Sequence, residues 1–400
     1  MEAFHRAKGV LIGLATADAL GALVEFIPSK LVKSLPIIKD FNPPIPLAEL
    51  ITKADNEKTL NSLQLYIDNL VLPGLYTDDT QQAILLAYSL INNKGVNVAH
   101  IANLFVEGAK SSNYGDFGIF RHAGPGFITT VKNLIQYKSI ENAAPITAGN
   151  GAAMRIAPLG VFYHQNIDKL LRATIEVSAL THQDIRGITA AGIVSYSIAY
   201  LFKGTPSSFN SQDYLYNLHL FVEELENTIT ADYKNIQSDK TIKHQVSKGI
   251  RLITDISNTE EKIALKALDN YAQKTSHNEN VRYNSPFALG SVIYSLYLFI
   301  KYGLDWETAV IIAVNSGGDT DTIAAILSSL CGALHGYKKI PKNWINKVYN
   351  IDSLERLAES LITLEPITLD LIEIENNLSK MEHDYRKHYK QLLKQSIGYR

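Results

Sequence analysis

The stretch Asn315–Gly336, NSGGDTDTIAAILSSLCGALHG, decides the reading of this chain. Gly317 and Gly318 can end the preceding apolar run, Thr308–Val314, as a helix C-terminal signal. Asp319 or Thr320 then stands where the next helix, Thr322–Leu334, needs a cap. Asp319 and Asp321 thereby fall on a tight, backbone-rich turn at a helix entrance, with the Thr322 hydroxyl beside them. Neighbouring carboxylates repel each other, and a pair on one short turn makes sense with a divalent cation between them. Hard oxygen ligands suit Mg²⁺ or Mn²⁺ better than Zn²⁺. The competing explanation is a capped helix start whose acids complement the macrodipole.

A second stretch shifts the balance. Tyr76–Leu90, YTDDTQQAILLAYSL, repeats the plan of a hydroxyl, adjacent carboxylates and then an apolar helix. A cap needs one acidic residue, so Asp78 with Asp79 is one more than capping requires. Clusters this far apart in sequence can supply opposite halves of a two-metal site.

Length and composition agree with an enzyme-sized globular fold. The 400 residues, 46% hydrophobic, can bury a large core. A net charge of −2 provides no basic field for nucleic acid. The single cysteine, Cys331, rules out an internal disulfide framework and fits a reducing cytoplasm. Val10–Val24, VLIGLATADALGALV, follows His5, Arg6 and Lys8 and resembles a signal-peptide core, but Asp18 breaks it and Glu25 follows at once. No other run reaches the ~18 apolar residues of a membrane span. The expectation is a cytoplasmic protein with no nucleic-acid or membrane partner.

The remaining pattern is helix after helix. Phe4–Val24 carries Gly9, Gly13, Ala17 and Gly21 at four-residue spacing, one face on which another backbone can pack closely. Asp18 lies beside that face, where a carboxylate needs partners; the simpler role for it is a buried hydrogen-bonding strut. Glu25, one turn past Gly21, is better placed to reach into a cleft. Residues 28–72, punctuated by the NPPIP of Asn42–Pro46, read as an irregular excursion with a short helix at Leu60–Leu70. Helical patterns follow at Thr80–Ile91, Val98–Ala109 and Ile128–Gln136, with the glycine- and aromatic-rich loop Tyr114–Phe127 between the last two. In TAGNGAAMRIAPLGV, Thr147–Val161, Gly149 and Gly151 flank Asn150 and let backbone approach a ligand. The following helix start offers N–H groups suited to phosphate, although a lone GNG is usually just a turn. The spacing is not a dinucleotide-fold fingerprint. Asp168–Ala179 forms another helix, with Thr181-His182 at its exit, and a lone histidine is more often structural than catalytic. Ile185–Phe202 and Ala288–Tyr302 are apolar core helices, 204–286 is a more polar insertion, and Ile367–Arg400 is a polar helical tail. With no convincing alternating strand, the fold class expected is all-α, a compact multi-helix domain over 1–366 with variable insertions at 28–72 and 204–286 and the 367–400 tail packed on it.

Five blocks now stand in order: Asp18-Ala19-Leu20-Gly21 with Glu25-Phe26, Thr77–Thr80, Gly149–Arg155, Thr181-His182, and Gly317–Thr322. Together they resemble the ADP-ribosylglycohydrolase family, including its nitrogenase-regulating members, over most of the chain. That resemblance implies a binuclear Mg²⁺ or Mn²⁺ cleft and hydrolysis of the bond joining ADP-ribose to a modified protein side chain. By position it implies Thr77, Asp78 and Asp79 on one metal, Asp319 and Thr322 on the other, and Asp321 shared. It implies that Glu25 matches a glutamate that in some relatives closes over the metals, so Glu25 and Asp78 are the candidate catalytic carboxylates. Gly149, Asn150, Gly151 and His182 match positions lining an ADP-ribose pocket, and Gly124, Gly126 and Phe127 match more weakly. Ala17 departs from the glycine usual before Asp18, and the 28–72 excursion could reshape the entrance.

The chemistry suits these residue types. Cleavage at the ribose anomeric carbon passes through an oxocarbenium-like state, and a cation pair holds ribose hydroxyls and activates water. Phosphate charge would meet backbone N–H groups near Gly149–Gly151 rather than an arginine cluster. Arginine-linked ADP-ribose is the preferred substrate, with a serine linkage or a free ADP-ribose derivative as the alternative. A further alternative, from some family members, is an immunity protein whose partner is an ADP-ribosyltransferase toxin, acting by reversal or by plugging the toxin's site with 28–72. A binding module without turnover ranks lower, since it needs no full set of metal-binding oxygens. A phosphatase-like Asp-x-Asp-x-Thr loop also ranks lower, for that motif wants a preceding buried strand and Thr or Val at its fifth position, where this chain has Ile323.

Overall fold

The computed structural model describes residues 1–25, 27, 35–42, 47–48, 51, 57–136, 138–238 and 241–398. Among them the regular backbone is all helical, with isolated bridges in place of strands. In chain order the helices are α1 (Glu2–Gly21), α2 (Glu57–Asp68), α3 (Asp78–Asn93), α4 (Val98–Ser111), α5 (Pro125–Ile135) and α6 (Gly151–Arg155). There follow α7 (Ala157–Phe162), α8 (Ile167–Ala179), α9 (Ile185–Leu201), α10 (Ser211–Asp232), α11 (Gln245–Ile256) and α12 (Glu261–Ser276). The last are α13 (Ala288–Tyr302), α14 (Trp306–Val314), α15 (Thr320–His335), α16 (Lys342–Ile345), α17 (Ile351–Thr363) and α18 (Leu371–Gly398).

The centre is the antiparallel pair α1 and α15. Small residues decide how closely they approach. A Cβ on Gly332 would sit 2.1 Å from Gly9 O, and one on Gly21 would sit 2.5 Å from Asp321 N and Cα. Side chains larger than hydrogen do not fit at these crossings, so the glycine ladder read from α1 is the contact face itself. Both helices are apolar around nearly their whole circumference because both are core. The run that resembles a signal-peptide core is thus an interior helix, 94% buried over its most apolar window. Its one buried cation, Arg6, donates to the carbonyls of Leu201 and Phe202 at 3.0 Å, satisfying C-terminal acceptors of α9.

The pairing has a functional consequence. Antiparallel packing brings the C-terminal end of α1, continued by a short 3₁₀ turn Ala22–Val24, against the N-terminal end of α15. Glu25 therefore arrives beside Asp319 and Asp321. Helices α3 and α6 pack on the same end of the pair, and α9, α13 and α14 enclose α15.

Several helix limits differ from the sequence expectation by two or three residues. The helix expected at Thr322–Leu334 is Thr320–His335, and that expected at Thr80–Ile91 is Asp78–Asn93. Asp78, Asp79 and Asp321 therefore lie in the first turns of their helices, while Asp319 stays ahead of its helix at the N-cap. The excursion contains α2 over Glu57–Asp68 in place of Leu60–Leu70. Within 28–72, the segment suggested as a plug, residues 28–34, 43–46, 49–50 and 52–56 lie outside the described residues. Leu47, Ile51, Leu63, Ile67 and Leu70 form a small second core with Leu393 of α18. That core joins the excursion to the C-terminal helix.

Candidate active site

Thr77 is the N-cap of α3, its Oγ1 accepting from Asp79 N, so the cap is complete without either carboxylate. Asp319 occupies the N-cap position of α15 but makes no side-chain cap bond. Its Oδ2 accepts instead from the Asn150 amide, which also donates to Ser291 Oγ at 3.0 Å. Helix capping therefore leaves Asp78, Asp79 and Asp319 without an explanation. Asp78, Asp79, Asp319 and Asp321 are all buried, and one oxygen each of Glu25, Asp319 and Asp321 lies within 4.8 Å of the others. Thr322, in the first turn of α15, lies near both Asp79 and Asp319 and so stands between the clusters.

The turn before Asp319 needs Gly317 and Gly318, at φ +72° and +81°. A Cβ on Gly318 would meet Asn284 O at 2.1 Å, and that same carbonyl accepts from Asp319 N at 2.9 Å. Glycine is the residue that both reaches this conformation and clears Asn284.

Asp18 is the strut. Its oxygens accept from the backbone N–H and hydroxyl of Thr77 and of Thr80, at 2.6–3.1 Å. Burial still pushes its carboxyl up to about 6, against those bonds. The others are less well served. Burial, then the charges of Asp18 and Glu25, push Asp78 well above the ordinary carboxylate range, and Gln82 Nε2 at 2.6 Å answers part of this. Burial, then Asp18, Asp78 and Asp319, does the same to Asp79, and burial, then Glu25, Asp79 and Asp319, to Asp321. Asp319 is raised to about 7 by burial and by Glu25. Asp79 Oδ1 and Asp321 Oδ1 are buried with no hydrogen-bond partner. Buried acceptors are ordinarily paired. Buried, unpaired oxygens within a group of mutually repelling carboxylates fit a divalent cation.

The GNG segment closes another side. His182 stands beside it: a Cβ on Gly151 would lie 3.2 Å from His182 Cε1, and one on Gly149 3.7 Å from Nε2. Thr181 Oγ1 accepts from Arg155 Nη2 and shares a further hydrogen bond with His182 Nδ1 at 2.7 Å. Burial and Arg155 lower His182 to about 3, so the ring is neutral, with Nε2 facing Gly149–Gly151. Arg155 also donates to Gln82 Oε1 at 3.0 Å, and so reaches Asp78 through Gln82. Burial lowers this guanidinium to about 10, with Asp78 acting against it.

Glu25 is held from the outside. Its Oε2 lies 2.7 Å from His122 Nδ1. Burial disfavours the imidazolium, but Glu25, Glu382 and Asp116 outweigh that and hold His122 up to about 9. Main-chain bonds fix this segment to α3, Asp78 N donating to Arg121 O at 3.0 Å and Arg121 N to Gln81 Oε1 at 2.9 Å. Arg121 in turn pairs with the buried Glu375 of α18 at 2.9 Å.

The weaker pocket candidates separate. Gly124 caps α5 with open space where a Cβ would be, and Gly126 faces Thr147 of the GNG segment. The Phe127 ring is packed edge-on between Phe105 and Phe120, at 5.0 and 4.7 Å, and belongs to the core. His122, Gln82 and Arg155 received no role from sequence. Gln82 carried a readable signal, four residues after Asp78 on the same helix face, and so did Arg155, a charge within an apolar run.

The sequence matches the profile of ADP-ribosylglycohydrolase over residues 1–368. The chain belongs to the ADP-ribosylglycohydrolase family. It is accordingly a hydrolase of glycosidic bonds to ADP-ribose. An uncharacterized protein of Archaeoglobus fulgidus is 28% identical to it, over 89% of this chain and 96% of that one. The ADP-ribosylarginine hydrolase Tri1 of Serratia proteamaculans is 23% identical over 91% of this chain and 81% of its own. The human ADP-ribosylhydrolase ARH3 is 24% identical over 72% and 78%. A solved structure, described as an ADP-ribosylglycohydrolase-related protein complex, shares the fold with a TM-score of 0.61 at 22% identity, over 92% of this chain and 99% of that one.

Proposed function

We propose that this protein removes ADP-ribose from ADP-ribosylated protein side chains and that the linkage it cleaves is to arginine. The observation that carries the reading is the meeting of the acid clusters of α3 and α15 under Glu25, with Asp79 Oδ1 and Asp321 Oδ1 buried and unpartnered. We assign two divalent ions, Mg²⁺ or Mn²⁺, to Thr77, Asp78 and Asp79 on one side and Asp319 and Thr322 on the other, with Asp321 shared. Such ions supply Lewis acidity toward ribose hydroxyls and water when bound. The catalytic unit is assigned to 1–366, with 28–72 and 204–286 as insertions and 367–400 as a packed helical appendix.

The chain's own residues do the positioning. Gln82 orients Asp78, Asn150 orients Asp319, and His122 orients Glu25. We place the ADP-ribose along Gly149–Gly151, which Nε2 of the neutral His182 faces, with Gly124 and Gly126 at the margin. Asp78 and Glu25 are the carboxylates assigned to manage protons. The guanidine of arginine departs as a delocalised group and asks little of a general acid, whereas a serine alkoxide must be protonated as it leaves. Relatives named ADP-ribosylarginine hydrolase support the arginine assignment, and those named ADP-ribosylhydrolase ARH3 make serine the comparison to run.

The test is to incubate Mg²⁺- or Mn²⁺-loaded protein with arginine- and serine-ADP-ribosylated peptides and follow released ADP-ribose, with a chelator control. Release from arginine that the chelator abolishes is expected. Preference for serine overturns the linkage. Release from neither overturns turnover and favours a protein that occludes an ADP-ribosyltransferase toxin.

A further inference from the structure

The family match ends at residue 368, yet the helix beyond it reaches the site. Arg386 of α18 is largely buried. Its Nε donates to Leu70 O at 2.6 Å, its Nη1 to Asp116 Oδ1 at 3.1 Å and its Nη2 to Glu382 Oε2 at 2.8 Å. Glu382 Oε1 accepts from Leu72 N at 3.1 Å. The other oxygen of Asp116 accepts from the backbone N–H of His122 at 2.7 Å. His122 sits at φ +57°, a left-handed conformation uncommon for residues other than glycine, with this bond on its N–H. From there His122 Nδ1 meets Glu25 Oε2, and Glu25 lies with Asp319 and Asp321.

We propose that α18 is a strap that positions Glu25: Arg386, acting through Asp116 and His122, holds that carboxylate against the acid cluster. Arg386 is a positioning residue, since it touches none of the acids of the cluster. The physical reason is counter-charge. Asp116 and Glu382 face each other across one guanidinium, and without it they repel and release the His122 turn. Glu25 then loses its orienting bond and takes up other rotamers, and pre-organisation is lost. The inference rests on Glu25 being functional, so its test includes a measurement that needs no substrate.

Full-length Arg386→Ala, Arg386→Lys, Glu25→Ala and the Arg386→Ala/Glu25→Ala double variant are compared with wild type. In amide hydrogen exchange, Arg386→Ala should speed exchange of the His122 amide by about tenfold while amides of α15 keep their protection. In turnover, kcat should fall about tenfold with KM changed less than about twofold, and Arg386→Lys should recover part of it. In the Glu25→Ala background, Arg386→Ala should cost less than about a further twofold, because its effect passes through Glu25. Full multiplicative losses in the double variant overturn the proposal, as does an unchanged His122 amide in Arg386→Ala. Should Arg386→Ala fail to fold, Arg386→Gln takes its place under the same criteria. If wild type shows no turnover, the proposed function fails, and His122 exchange alone decides the strap.

Discussion

Gly21→Ala isolates how the fold builds the site. A methyl at this position would stand 2.5 Å from Asp321 N, Asp321 Cα and Thr320 O, all backbone atoms of the first turn of α15. Ordinary contact begins at 3.4 Å, so the end of α1 must move from α15 by about 0.9 Å. Overpacking of this kind costs about 1–3 kcal/mol. The displaced atoms carry Asp321 on one side and lead into Glu25 on the other. A shift of about 1 Å in a catalytic arrangement costs on the order of a hundredfold in rate. Gly9→Ala is the control. Its methyl would lie 2.7 Å from Gly332 O, at the opposite end of the same helix pair. Both variants should lose stability in urea unfolding by similar amounts, while Gly21→Ala alone should lose turnover and weaken divalent-ion binding measured by calorimetry. Wild-type turnover and ion affinity in Gly21→Ala would refute the reasoning, as would equal losses of both in Gly9→Ala.

Asp321→Asn should cost more ion affinity than any other single change at the site, and unchanged affinity for both ions would show the shared-ligand assignment to be wrong. Glu25→Ala should lower turnover while affinity for free ADP-ribose stays near wild type; the reverse pattern would make Glu25 a binding contact. In chelator the carboxyls of Asp18 and Asp319 rise from 3.8 to about 6 and about 7, so between those values the folded state holds more protons than the unfolded one. Metal-free stability should therefore fall as pH rises from about 4 to about 7, by on the order of a few kcal/mol in all at about 1.4 kcal/mol per unit. Mg²⁺ should remove the fall, and equal urea midpoints at pH 5 and pH 8 in chelator would contradict it.

The central pair was legible because its signals are local. The glycine ladder of α1, the acid-then-apolar starts of α3 and α15, and the paired glycines before Asp319 each lie within one turn or one helix face. Asp18 was readable as a strut for the same reason, since a carboxylate in an apolar helix must find donors. The partners of Glu25 were not legible. His122 sits in a loop without periodicity, and Arg386 reaches it only after the chain has passed through every other helix. Nothing in the polar pattern of 367–400 separates Arg386 from solvated basic neighbours until burial is known. Phe127 shows the opposite failure: adjacency to Gly124 and Gly126 places it near the pocket in sequence, while Phe105 and Phe120 take its ring into the core.

The buried acids divide into a structural one and a functional set by whether their oxygens are answered. Asp18 is fully buried, yet donors from Thr77 and Thr80 surround it, so it holds α1 to α3 and does nothing that requires a ligand. Asp78 and Asp319 are each answered by one side-chain amide, Gln82 and Asn150, which fixes orientation and leaves acceptor capacity open. Asp79 and Asp321 each keep an oxygen with no partner. The nearby cations do not balance this set: Arg155 reaches Asp78 only through Gln82, and His122 is engaged with Glu25. Folding without an added positive charge thus works against the mutual repulsion of the whole group, a cost that packing elsewhere must carry. A chain arranged for stability alone would keep Asp18 and replace the rest. That it instead buries these carboxylates together at the starts of α3 and α15, with oxygens left unanswered, is the physical argument for a cation-dependent hydrolase.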